Sequence, residues 1–267
     1  MVGFKSFQFV SRYVDPKFQQ FEAYLRQYAR KHYTEKPDLQ SKILLKENHS
    51  FRVVGHADKI MDSMGSDSGF REAATLAALF HDIGRFPQIS KYGTFDDRQS
   101  VDHGEFGAKV LEFEGVLFGR PKAGAIIECV RYHNAFAVPK NITPELELML
   151  KVVRDADKLD ILELATANYE SPQMDPTLDY ASVPEGVTNE AVTEIIAEHN
   201  IDARRMRTET DMKLLRLSWI FDMTYPYSFR YIQERKIVDR IMATIPDAYW
   251  KEQVRQKLTG YIEKRMF

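Results

Sequence analysis

The segment GFREAATLAALFHDIG, residues 69–84, decides how the rest of the chain is read. It opens on a glycine, is dense in Ala and Leu, and stops at a second glycine, which is the composition of a buried helix with a glycine stop. Its apolar run from Ala73 to Phe80, with Thr75 inside it, is far too short to span a bilayer. The pattern predicts a helix from Gly69 to Ile83 ended by Gly84, with the adjacent pair His81-Asp82 in its last turn.

Helical periodicity continues on both sides. Phe18, Phe21, Leu25 and Tyr28 fall on one face of a helix opening after Asp15-Pro16, and a second helix from about Leu39 to Met64 carries His49 and Val53 and ends near Gly65. Residues 85–101 hold Pro87, Gly93 and the acidic pair Asp96-Asp97 without a sustained period, and read as a long ordered loop. Asp102 and Glu105 have capping-box spacing, so a helix with His103 in its first turn is expected to run towards Phe118. Pro121 starts a helix to His133, and Thr143-Pro144 starts one that passes Asp157. The stretch from Ser171 to Gly186, with three prolines, interrupts the pattern. Helices are expected again at Thr188 to His199, Thr208 to Met223, Tyr227 to Met242 and Asp247 to Met266. No strand alternation, internal repeat or interdomain linker is visible. The expectation is an all-α fold, one domain over residues 1–267, with a core at about 40–165 and C-terminal helices at about 188–266.

Composition supports a packed protein: 44% of the 267 residues are hydrophobic and 28% charged. A net charge of -2 gives no general attraction for nucleic acid or anionic lipid, so a phosphate-bearing substrate has to be held locally. The single cysteine, Cys129, excludes an intrachain disulfide and a thiolate-rich zinc or iron–sulfur site, leaving His, Asp and Glu as metal ligands. The N-terminal MVGFKSFQFVSRYVD lacks a signal-peptide core, and the chain is expected to be cytoplasmic.

Four histidines lie at helix positions suited to a site: His49 inside a helix, His81 beside Asp82, His103 beside Asp102 and His133 at a helix end. On a regular helix His81 and Asp82 point about 100° apart, so one ion reaches both where it lies between them or where the helix ends. Imidazole with carboxylate suits Mn, Fe, Ni, Co or Zn, whereas Mg prefers more oxygens. His32 and His199 read as ordinary structural or surface histidines. His56, two turns beyond His49, shares its face, and Asp155, Asp157 and Asp160 compete as a later carboxylate ligand. Asp96-Asp97 reads as a solvated turn.

His49-Ser-Phe-Arg52-Val53, Leu79-Phe80-His81-Asp82-Ile83-Gly84 and Arg154-Asp155-Ala156-Asp157-Lys158-Leu159-Asp160 resemble the successive H…HD…D motifs of the HD-domain metal phosphohydrolase superfamily, over roughly residues 40–165. The resemblance implies an all-helical fold and favours His49 over His56 and Asp157 over its neighbours. Asp102-His103-Gly-Glu105 and Tyr132-His133-Asn134 are similar to segments that supply a second metal in two-metal HD proteins. The implied centre is dinuclear, with His49, His81, Asp82 and Asp157 on one ion, His103 and His133 on the other, and Asp82 bridging. It implies cleavage of a phosphomonoester or nucleotide by metal-bound hydroxide between ions about 3.5–4 Å apart. Arg85 is then expected to clamp phosphate, Lys158 to add positive charge, and Asp102 to orient His103. Two alternatives share features. HD-GYP cyclic dinucleotide phosphodiesterases share the HDIG segment, but here His133 precedes Asn-Ala-Phe-Ala-Val-Pro in place of their His-Glu and Gly-Tyr-Pro elements. HD-related diiron oxygenases resemble the four-histidine, two-aspartate set.

Overall fold

The computed structural model describes residues 16–171, 173 and 184–267, and among them it contains twelve α-helices and no strand. They are α1 (Pro16–Arg30), α2 (Pro37–Met64), α3 (Ser68–Phe80), α4 (Arg85–Tyr92), α5 (His103–Glu114) and α6 (Ala123–Tyr132). There follow α7 (Pro144–Tyr169), α8 (Asn189–Ile196), α9 (Glu209–Ser218), α10 (Pro226–Glu234), α11 (Ile237–Ala243) and α12 (Lys251–Glu263). None is long and apolar enough to cross a membrane. Asp15 and most of the proline-bearing stretch 171–186 lie outside the described residues.

Helix α3 is the hub. Asp67 caps it by accepting hydrogen bonds from the backbone N–H groups of Gly69 and Phe70, and Phe70, Ala73, Ala74 and all residues from Leu76 to Phe80 are buried. A helix apolar on every side needs neighbours all round, and α2, α6 and α7 supply them. Its alanines let those neighbours come close, and each fully buried Leu or Phe on it stabilises the fold by roughly 2–3 kcal/mol. Proline in the first turn starts both long helices, α2 and α7, which pack along one another; Thr143 caps α7 through the Leu146 N–H.

The expected helix through Ile83 ends earlier. α3 stops at Phe80, His81 to Gly84 form a tight turn, and α4 begins at Arg85 inside what reads from the sequence as a loop. Gly84 has φ −67°, a right-handed value open to any residue, so it does not break the helix by its handedness. Pro87 is compatible with α4 because it falls in the first turn, where the N–H has no intrahelical acceptor. The helix expected over Tyr227 to Met242 is likewise two, α10 and α11, broken at Lys236 with φ 52°. No glycine or proline marks that break; burial of Ile237, Val238, Ile241 and Met242 supports it.

Two hydrophobic cores share α7. The first gathers α1, α2, α3 and α6 with α7 as far as Ala156; the second begins at Leu159 and gathers α8 to α12. Asp155 ties the second group to α7: its carboxylate accepts hydrogen bonds from the N–H groups of Thr224 and Tyr225 and from Ser228 Oγ at 2.7 Å, satisfying the N-terminus of α10. Asp157 therefore sits on α7 at the seam between the cores.

Candidate metal centre

The six residues named from sequence as ligands converge at that seam from α2, the α3–α4 turn, the first turn of α5, the end of α6 and the middle of α7. His49 Nε2 lies 3.2 Å from His81 Nε2, 3.0 Å from Asp157 Oδ1 and 3.5 Å from Asp82 Oδ2. His103 Nε2 lies 3.1 Å from His133 Nε2 and 3.4 Å from Asp82 Oδ1. Two buried triads able to hold a metal ion result, His49-His81-Asp82 and Asp82-His103-His133, with Asp82 common to both.

The far side of every ring is engaged. His81 Nδ1 bonds the Ala78 carbonyl at 2.8 Å and His133 Nδ1 the Val130 carbonyl at 2.7 Å, each three residues back at the end of its helix. His49 Nδ1 bonds Asp160 at 2.6 Å, and His103 Nδ1 bonds Asp97 at 2.6 Å. With these acceptors a neutral ring carries its proton on Nδ1, and with all four rings neutral their Nε2 lone pairs face one another in two close pairs. Asp157 Oδ1 is buried among them without a hydrogen-bond partner. Lone pairs and carboxylate oxygens gathered out of water repel unless a cation lies between them, and this donor set fits divalent transition metals.

The two pairs differ in charge. Burial disfavours a charged His81, but the Asp82 and Asp157 carboxylates outweigh it and lift its pKa to about 10. Burial and the Arg85 guanidinium push His103 down to about 4 against the pull of Asp97. Burial works against ionised Asp82, yet Lys46, with Nζ 2.7 Å from Oδ2, and His81 hold its pKa well below the usual carboxylate range.

Close backbone approach makes this convergence possible. A Cβ on Gly84 would stand 2.3 Å from the His103 carbonyl oxygen and 2.6 Å from Gly107 N, so the turn bearing Asp82 reaches the start of α5 only without a side chain there. A Cβ on Gly104 would stand 2.6 Å from the Arg131 carbonyl oxygen, and its absence lets α5 meet the end of α6 beside His133.

Two expectations need correction, those for Asp97 and Asp102. Asp97 is not a solvated turn residue: besides His103 it accepts from Arg85 at 2.9 Å and Gln88 at 2.8 Å. Asp102 does not hold the His103 ring; it caps α5 at Gly104 and Glu105 and accepts from Asn134 at 3.0 Å, because the first turn of α5 aims the ring away from it towards Asp97. Arg85 has its Nη1 committed to the Phe95 carbonyl, Gln88 and Asp97, leaving Nε, 3.5 Å from Asp82, without a hydrogen bond. Lys158 pairs with Asp222, which also takes Arg154 at 2.7 Å. Asp160 bonds His49 and accepts from Arg52 Nε at 2.6 Å and Nη2 at 3.0 Å. His56 packs edge-on against Tyr231, away from the cluster. Lys46 was not read from sequence; its one trace there is its place three residues before His49, on the same face of α2.

Residues 47–162 match the family model of the HD domain. No curated protein and no solved structure gives a significant match. That matched segment carries all six converging side chains.

Proposed function

We propose that the chain is a dinuclear-metal phosphohydrolase acting on a phosphomonoester or nucleotide. The observation that carries the reading is the division of one carboxylate between two histidine pairs. Asp82 Oδ2 faces His49 and His81 at 3.5 and 3.4 Å, and Oδ1 faces His103 and His133 at 3.4 and 3.8 Å. In this reading His49, His81, Asp82 and Asp157 hold one ion, and Asp82, His103 and His133 the other. Two such ions, when bound, supply a water ionised near neutral pH and neutralise charge on phosphoryl oxygens.

The chain's own residues complete the site. A cavity of about 720 Å³ opens over the cluster and is lined by Lys46, Arg154 and Lys158. Arg154 and Lys158 share the single carboxylate of Asp222, so that wall keeps a net positive charge towards a phosphate. Arg85 is a positioning residue, fixing Asp97 and the loop after α4, while Lys158, on the positive wall of the cavity, is the candidate for phosphate contact. No protein nucleophile is needed; Cys129 is buried in the first core. In this reading the helices after residue 187 belong to the same domain and wall the substrate cavity.

Metal analysis of protein purified without chelators, with anaerobic phosphate-release assays over phosphomonoesters and nucleotides, tests the reading. Two ions per wild-type chain, metal loss in Asp82→Ala and oxygen-independent phosphate release are expected. Undiminished metal in Asp82→Ala, or substrate-dependent oxygen uptake without phosphate release, overturns it.

A further inference from the structure

The cavity above the metal centre extends well beyond it. Asp157, Ile161, Leu164 and Ala165 line it along one face of α7, and the eight residue steps from Asp157 to Ala165 cover about 12 Å of helix. Across from α7 the lining includes Arg216 and Trp219, from α9 and the turn that follows it. The other lysines and arginines of the lining each donate to a carboxylate or carbonyl oxygen within 3.0 Å, from Lys42 on the Gly93 carbonyl to Arg204 on Asp202. Among the described residues Arg216 is the exception. Its side chain makes no ion pair, and its Nε is buried without a hydrogen-bond partner. Its guanidinium lies over the Trp219 indole, 4.5 Å from the ring centre.

A desolvated N–H without an acceptor is costly, and a guanidinium stacked on an aromatic face has its plane fixed in advance. Such a group is pre-organised for an oxyanion arriving through the cavity, which it can take with two parallel hydrogen bonds. We propose that Arg216, seated on Trp219, is a specificity-determining residue that holds a second anionic group of the substrate while the phosphate to be cleaved lies at the metal centre. The inference rests on the metal-centre reading above and narrows it: the preferred substrate is a phosphate ester whose alcohol portion carries a further phosphate or carboxylate.

Calorimetric binding of non-hydrolysable probes to the manganese-loaded full chain tests this. The probes are alkylphosphonates, ω-carboxyalkylphosphonates and alkane-α,ω-bisphosphonates of increasing chain length. A doubly anionic probe of matching length should bind at least about tenfold more tightly than the alkylphosphonate of equal length. Which second group gives the larger advantage identifies phosphate or carboxylate. Arg216→Gln, which keeps the stem over Trp219, should abolish the advantage, and Arg216→Lys should retain part of it. Equal affinity for singly and doubly anionic probes at every length, absence of binding by either, or an undiminished advantage in Arg216→Gln overturns the proposal. Repeating the titration after metal removal separates the two readings. An advantage that depends on Arg216 while affinity ignores metal keeps Arg216 as the residue that holds an anionic group in this cavity, and sinks the metal-centre reading together with the placing of the other phosphate there.

Discussion

In each half of the candidate metal centre one imidazole is held by the carbonyl three residues back and the other by a carboxylate, but the carboxylates are held differently. Asp160 lies within α7, gripped by Nε and Nη2 of Arg52, and the same helix adds Asp157. Asp97 lies in a single 3-10 turn between α4 and α5, dividing its oxygens among His103, Arg85 and Gln88, and among the described residues no carboxylate beyond Asp82 joins the second pair as a ligand group. His81 is held near pKa 10 by two carboxylates, whereas His103 is driven to about 4 by burial and Arg85. The same imidazole arrangement thus stands in two electrostatic settings. The first half suits a tightly held ion, the second an ion that keeps open positions for substrate and water.

The comparison breaks most severely at Gly84. Gly84→Ala drives a methyl group into the backbone of α5, where neither His103 nor Gly107 can yield cheaply. It should cost about 3 kcal/mol or more of stability, seen as a fall in Tm, and reduce metal content from two ions towards one. Retention of two ions would show that the halves do not depend on this contact. Next in size are the ligand deletions. His103→Ala should release one ion and leave the other resistant to a mild chelator; His81→Ala should release the tighter one. If both variants lose metal alike, the asymmetry is wrong.

A pH series sharpens the contrast. Below about pH 10 an ion entering the first half displaces a proton from His81, so its apparent affinity rises with pH, by up to about a hundredfold between pH 6 and 8. His103 is already neutral above about pH 4 and gives up no proton in that window, so the second half should change little. The gap between the two dissociation constants, measured by competition with a chromophoric chelator, should therefore narrow as pH falls. The smallest effects come from the orienting carboxylates. Asp160→Asn should weaken only the first ion and Asp97→Asn only the second, each by roughly tenfold, because the ring keeps an acceptor but loses its charge.

How much of this the sequence discloses depends on distance along the chain. His81 and Asp82 stand out by adjacency and His49 through the resemblance of its motif, while α7 announces itself through Thr143-Pro144 and α2 through its stop at Gly65. Asp97 does not: its role depends on α4 folding where proline and glycine suggest a loop, which returns the following turn to His103. Lys46 reaches Asp82 across 36 residues, and nothing near it in sequence marks the contact. Gly84 is visible as a glycine but misleading about its reason, since close approach to α5, rather than left-handed backbone, requires it. The break at Lys236 leaves no local trace, because packing against the second core sustains it.

The bond between His49 and Asp160 joins residues 111 positions apart, whereas His103 and His133 are 30 apart and Asp97 is six from His103. Closing a long loop costs more entropy than closing a short one, and contacts of high sequence separation form late. The second half can therefore assemble from α5 and α6 as a helical hairpin early in folding, while the first waits until α7 has docked on α2. A refolding time course followed with a coloured ion such as cobalt should show two phases, the slower marking that docking. The half expected to hold its ion more tightly is then the last to be made, and capture of an ion there would record that the chain has closed.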